Sequence, residues 1–290
     1  MNNLLEKLQV IQFFIILFLI KNDDDTKISC NDNKDIDDLK DVIFYREFVK
    51  KFIESPESIK ENVFLKENEY FYFFYTENLI IYFYKKNNSD KHYIYFDGLS
   101  KIKEIATLLI HKLIYKGEDF IKSILSQKGN LFEVSNDYIE HINDNKIDIY
   151  DVFSHIKSNV YKENLKIKIY GYSLGGPLSQ YFYHTLPDKD NIEFEFLGIE
   201  SWFEGNKELY KDFTDKNLFK NIFNEKSILY FYNKYFQKFN NKNILVNIEE
   251  DEKDIINNYF LQFSPLGLIN YIKNHHSIIN ILDKISNEIK

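Results

Sequence analysis

One serine held between two glycines is where residue type and spacing together point to bond-making chemistry in this 290-residue chain. Gly171-Tyr172-Ser173-Leu174-Gly175 fits Gly-x-Ser-x-Gly, in which the serine occupies a sharp strand-to-helix bend. Flanking residues without Cβ atoms let the strand and the helix close up around that bend. With 9 glycines in the chain, the pentapeptide arises by chance with a probability on the order of 0.02. The competing reading is a glycine-rich turn with an idle serine, and the context disfavours it. An apolar strand (LKIKIY) precedes the motif and a helical stretch (LGGPLSQYFYHTL) follows. Pro177 falls in the first helical turn, where an N–H has no partner to lose. The chemistry implied is nucleophilic attack on an acyl carbonyl, which requires a base to take the serine proton.

Chain order narrows the base. In this arrangement the serine comes first, then an acid, then a histidine. His92, His111, His141 and His155 precede Ser173, and His184 lies on the helix directly after it, which leaves His275 and His276 in the polar stretch NHHSI. The hydroxyl must then be held out on its bend within reach of one of these imidazoles.

The acid belongs on a loop after a strand between the serine and that pair. Glu200 and Glu204 follow a strand expected at 192–199, and EEDEKD at 249–254 follows one expected at 244–248. Most of the second run is solvated charge. Asp254 is favoured there because Ile255-Ile256 can pin its loop to the core; Asp251 is the alternate and Glu200 the third choice.

Two N–H donors must converge on the developing oxyanion. Leu174 supplies one at the helix N-terminus, where the dipole helps. Leu99 in Phe96-Asp97-Gly98-Leu99-Ser100 is the expected second donor, although an ordinary strand-to-helix turn explains that segment equally well.

The elements that position these residues follow from periodicity. Residues 42–53 space apolar side chains as an amphipathic helix. Aromatic runs at 70–75 and 79–84, separated by Thr76-Glu77-Asn78, read as a hairpin, and 92–96 as a third strand. Helices are expected at 102–114, 147–160, 174–186 and 277–289, with 207–239 mostly helical; strands are expected at 165–170, 192–199 and 244–248. Strands alternating with helices predict an α/β fold, with a largely parallel central sheet, an antiparallel aromatic edge and flanking helices.

Composition bounds the rest. Hydrophobic residues make up 44% of the chain, enough to bury a core. With 37 Lys+Arg against 45 Asp+Glu the formal charge is -8, which disfavours nucleic acid as a partner. Cys30 is the only cysteine, so the chain has neither an internal disulfide nor a cysteine-based zinc site. Tyr (22) and Phe (27) are abundant while Ala106 is the only alanine, so pattern outweighs propensity.

Residues 1–21 contain an apolar run, VIQFFIILFLI, too short to span a bilayer as a helix, which takes about 20 residues. It suits a secretory signal or anchor, with a buried helix of the domain as the alternative. The expected location is therefore secreted or membrane-associated, with cytoplasmic as the alternative. Asn87-Asn88-Ser89 is a glycosylation acceptor in the secreted case. Residues 22–41, dense in Asp, Asn and Lys, read as a solvated linker, and 42–290 as one domain.

Taken together these residues resemble the class 3 (fungal-type) lipases of the α/β-hydrolase superfamily. Gly171-Tyr172-Ser173-Leu174-Gly175-Gly176 is similar to their Gly-His-Ser-Leu-Gly-Gly, with Tyr172 replacing the histidine. The run 93–100 is similar to their apolar strand leading to Phe-Arg-Gly-Thr, with Asp97-Gly98-Leu99 replacing Arg-Gly-Thr. Tyr115-Lys116-Gly117 resembles their His-x-Gly-Phe segment, Asp254-Ile255-Ile256 their Asp-x-Val, and His276-Ser277-Ile278 their late His-Ser-hydrophobic element. That last likeness selects His276 over His275. The resemblance covers roughly residues 90–280, and the stretch from Ser173 to Asp254 is longer than the family's.

It implies an α/β-hydrolase fold and hydrolysis of carboxylic esters, above all triacylglycerol or phospholipid, by a Ser173–His276–Asp254 triad. It also implies a lid, for which 102–114 has the apolar content, with a packed core helix as the equal alternative for that stretch, and a membrane or lipid-droplet surface as partner. No metal and no organic cofactor is expected, because serine acyl transfer supplies its own nucleophile. Two other functions compete: a non-catalytic hydrolase-fold protein that binds lipid or membrane, and a thioesterase or acyltransferase using the same serine.

Overall fold

The first aromatic run shows how this sheet is built. In strand β1 (Tyr70–Tyr75) the side chains alternate between two faces, as a strand requires. Tyr70, Tyr72 and Phe74 enter one buried cluster, and Phe71 and Phe73 enter another. Both faces are apolar, so both must be covered. The computed structural model describes residues 33–56, 65, 69–86, 89–98, 117–136, 138–159, 165–187, 189, 192–201, 219–224 and 242–246.

Along the chain come α1 (Asn33–Glu54), β1, β2 (Ile80–Lys85), β3 (Lys91–Phe96), α2 (Gly117–Leu125), β4 (Asn130–Val134), β5 (Ile139–His141), α3 (Ile149–Asn159), β6 (Leu165–Tyr172), α4 (Gly175–Thr185), β7 (Ile192–Ile199), β8 (Phe219–Asn224) and β9 (Lys242–Val246). The nine strands form one sheet in the order β5-β4-β1-β2-β3-β6-β7-β8-β9. One face packs on α1 through Leu39, Val42, Phe48, Val49 and Phe52. The other packs on α2, α3 and α4 through residues such as Ile121, Val152 and Phe182. The result is a three-layer α/β arrangement in which strands β1, β2, β3, β6 and β7 are buried on both faces.

The sheet is divided down its middle. From β5 to β3 every pairing is antiparallel, and from β3 to β9 every pairing is parallel. The expected antiparallel edge is therefore half of the sheet, and the largely parallel description holds only from β3 onward. The difference comes from β4 and β5, a hairpin that sequence pattern did not reveal because NLFEV and IEH are short and weakly alternating. β4 pairs with β1 and extends the aromatic half outward, stacking Phe132 on Phe73 with ring centroids 5.0 Å apart.

Two other expectations are corrected. The helix expected from residue 42 starts at Asn33, so 33–41, read as solvated linker, is helical, and Leu39 is fully buried. Asp41 on that segment pairs with Lys86. Residues 219–224, inside a stretch expected to be mostly helical, form strand β8 between β7 and β9. Residues 1–21, 102–114 and 277–289 lie outside the described residues. Among the described residues no helix is long and apolar enough to cross a membrane.

Candidate active site

Three neighbouring parallel strands, β3, β6 and β7, end side by side. Phe96 pairs with Gly171, Gly171 with Gly198, and Tyr172 with Ile199. The next residues, Asp97, Ser173 and Glu200, leave the sheet together at its carboxyl edge, where open α/β sheets bind ligands.

Ser173 has φ 53°, a left-handed conformation that disfavours any residue with a Cβ. The chain tolerates it because its surroundings over-determine the bend. The Ser173 N–H donates to Ile199 O at 3.0 Å, Gly176 N–H donates to Ser173 O at 3.2 Å, and the Ser201 hydroxyl donates to the same carbonyl at 3.0 Å. The flanking glycines act through close approach. A Cβ on Gly175 would lie 2.0 Å from Phe96 O, and one on Gly171 would lie 2.6 Å from Gly176 Cα. The spacing Gly-x-Ser-x-Gly thus has a direct cause: β3, β6 and α4 pass too near each other there for larger residues. Leu174 adopts a helical conformation as the N-cap of α4, so its end of the helix presents N–H groups lacking intrahelical acceptors.

Glu200 repeats the left-handed conformation with φ 46° and is fully buried. Its N–H donates to Ile222 O at 2.8 Å, which ties the end of β7 to β8. Sequence reasoning ranked it third among acids, behind Asp254 and Asp251.

A charge cluster underlies the end of β3. Asp97 is 2% exposed, and its carboxylate accepts from Arg46 Nε at 3.0 and 3.2 Å, from the Tyr95 hydroxyl at 3.0 Å and from its neighbour's backbone, Gly98 N–H, at 2.9 Å. Lys50 Nζ stands 3.7 Å from the second carboxylate oxygen, and Arg46 also reaches Glu47 at 3.2 Å. Burial opposes the Arg46 charge, but the Asp97 carboxylate outweighs it and the guanidinium is held above its ordinary pKa. Burial pulls the Lys50 ammonium down, with Asp97 acting against it. Burial, reinforced by Asp97, pushes the Tyr95 phenol well up, so it stays a donor. Arg46 and Lys50 were not singled out by sequence, since their partner lies far away along the chain.

Of the site residues expected from sequence, Ser173 and Leu174 stand together at the end of β6. Leu99, Asp251, Asp254, His275 and His276 lie outside the described residues. One expectation needs correction: Ser173 is not held open but is 1% exposed. Among the described residues no group of three His, Cys, Asp or Glu gathers as metal ligands would.

No family model matches this chain, and no curated protein matches it. Seven chains of solved structures match. One is the crystal structure of M37 lipase, aligned over 88% of this chain and 95% of its own, at 14% identity and a TM-score of 0.41.

Proposed function

We propose that this protein is a serine hydrolase of carboxylic esters, with lipid esters as its substrate class and Ser173 as nucleophile. The observation that carries this reading is the left-handed backbone of Ser173 on a strand-to-helix bend framed by Gly171 and Gly175. Strain of that kind persists where it has a use. The bend also sets Ser173 next to the N-terminus of α4, whose N–H groups suit a developing oxyanion.

In the proposed reaction Ser173 Oγ attacks the ester carbonyl while a late histidine takes its proton. His276 is our choice, with His275 as alternate. Leu174 N–H, with Leu99 N–H as the second donor, stabilises the tetrahedral oxyanion. The histidine then hands its proton to the leaving alkoxide, giving the free alcohol and an acyl-serine. Water, deprotonated by the same histidine, releases the acid and restores the hydroxyl. Asp254, or Asp251, orients the imidazole in this scheme; Glu200 competes because it is buried at the neighbouring strand end. The likeness to class 3 lipases extends the proposal to triacylglycerol or phospholipid, to a membrane or lipid-droplet surface as partner, and to a secreted or membrane-associated location.

One observation favours a second reading. A serine 1% exposed meets substrate only if the chain around it opens, and a fold that never opens would bind lipid or membrane without catalysis. The same opening would serve a thioesterase or acyltransferase equally. A fluorophosphonate probe separates the readings. Labelling at Ser173 that is lost in Ser173→Ala and quickened by emulsified triglyceride supports the lipase. Labelling with preference for short soluble nitrophenyl esters and no interfacial gain reduces it to an esterase, and folded protein that never labels supports the binder.

A further inference from the structure

We infer that Arg46, on α1, is a positioning residue for the nucleophile's surroundings, acting through Asp97. The inference rests on the reading of Ser173 as nucleophile. The chain of contacts is short and continuous. Arg46 holds both Asp97 oxygens with one nitrogen, Tyr95 and Gly98 N–H hold the first of them, and Asp97 N–H is itself bonded to Ile80 O at 3.0 Å.

The carboxylate therefore fixes the direction in which the backbone leaves β3. That backbone runs straight onto the bend. A Cβ on Gly98 would lie 2.8 Å from Ser173 Cβ and 2.9 Å from Tyr172 O. Arg46 also lies over the Tyr172 ring at 5.5 Å, so one guanidinium braces the residues on both sides of this contact.

The arrangement answers an electrostatic difficulty as well. A buried carboxylate next to a forming oxyanion would raise the barrier by repulsion, unless cations neutralise it. Arg46 and Lys50 do so from one helix face, one turn apart in sequence. Helix α1 thereby becomes part of the catalytic architecture while touching no substrate.

The test uses the full chain and two alterations of the pair: Arg46→Lys, which keeps the charge but loses the planar fork, and Arg46→Gln with Asp97→Asn, which removes both charges and keeps hydrogen-bonding capacity. Turnover of a nitrophenyl ester and fluorophosphonate labelling are measured beside thermal unfolding. The neutral pair is expected to lower kcat about 100-fold with KM within about twofold, the mark of a misplaced transition-state donor rather than lost binding. Arg46→Lys should recover part of that loss.

Unchanged kcat in either folded variant overturns the inference and leaves the nucleophile reading intact. A loss that falls equally on KM and kcat, or that disappears at a temperature where all variants are fully folded, also overturns it. If the double variant does not fold, Arg46→Lys decides alone by the same kcat criterion. A wild-type chain that neither labels nor turns over ends both readings.

Discussion

Ser173 at the end of β6 and Glu200 at the end of β7 share a left-handed backbone and near-complete burial, yet they are held in different ways. Ser173 is framed locally: Gly171 and Gly175 remove the Cβ atoms that would strike Gly176 and Phe96. Glu200 follows Gly198-Ile199 with no such frame, and the sheet holds it through the bond from its N–H to Ile222 on β8. The two bends are also tied to each other, because Ser173 N–H reaches Ile199 O and Ser201 Oγ reaches Ser173 O. Both strained bends are thus tied to the next strand by their own N–H, and Ser173 alone has a frame of glycines in addition. Because a buried glutamate fills far more space than a buried serine, removing strain should have opposite consequences at the two positions.

The largest effect tests whether the first bend is catalytic. Ser173→Ala should lower ester turnover by at least about 10⁴-fold while the protein stays folded, as loss of a nucleophile does; steady-state kinetics beside a thermal melt would expose any smaller loss. Next comes the frame of that bend. Gly175→Ala drives a Cβ against Phe96 O, which is backbone and cannot swing aside, so unfolding in urea should show destabilisation of about 3 kcal/mol.

The direct contrast is a matched pair of glycine substitutions. Ser173→Gly relieves a left-handed Cβ at a position whose small side chain fills little space, and should be neutral or stabilising by up to about 1 kcal/mol. Glu200→Gly relieves the same strain but empties a fully buried site and strips its surroundings of a carboxylate, so it should destabilise by about 2 kcal/mol. Equal signs in chemical denaturation would mean that relief of backbone strain outweighs the buried Glu200 side chain.

The smallest effect comes from the opposite end of β3 and serves as a control. His92 is buried, with Nδ1 2.9 Å from the Tyr70 hydroxyl, and burial, then Lys85, pushes its pKa down to about 4. In the unfolded chain it protonates near 6.5, so the unfolded state binds more protons between those values. Its contribution to stability is complete above pH 6.5 and is lost as pH falls toward 4. Melting temperature should decline across that window, and His92→Asn should flatten the decline without altering labelling of Ser173.

Much of the scaffold was readable because several strands announce themselves locally. The runs at 70–75, 92–96, 165–170 and 192–199 are apolar or aromatic and bounded by turn residues, and all are strands. The motif at 171–175 was equally readable, because the glycines that let three chain segments cross at one point stand close together in the sequence. Strand β8 (FKNIFN) was not, since its identity depends on lying between β7 and β9 and not on any pattern of its own. The start of α1 was missed because Asp-rich residues 33–41 look solvated until Leu39 finds a buried place against the sheet.

Sequence alone determined the alternation of strands and helices, the aromatic character of both sheet faces and the position of the serine bend. Each of these leaves its mark within a few residues of the chain: side-chain periodicity, turn residues and closely spaced glycines. Tertiary structure decided that half the sheet is antiparallel, that Glu200 is strained and buried, that Ser173 is covered, and that Arg46 meets Asp97 across 51 positions. These depend on which distant surfaces come together, and a buried charge acquires its partner only when the chain has folded around both.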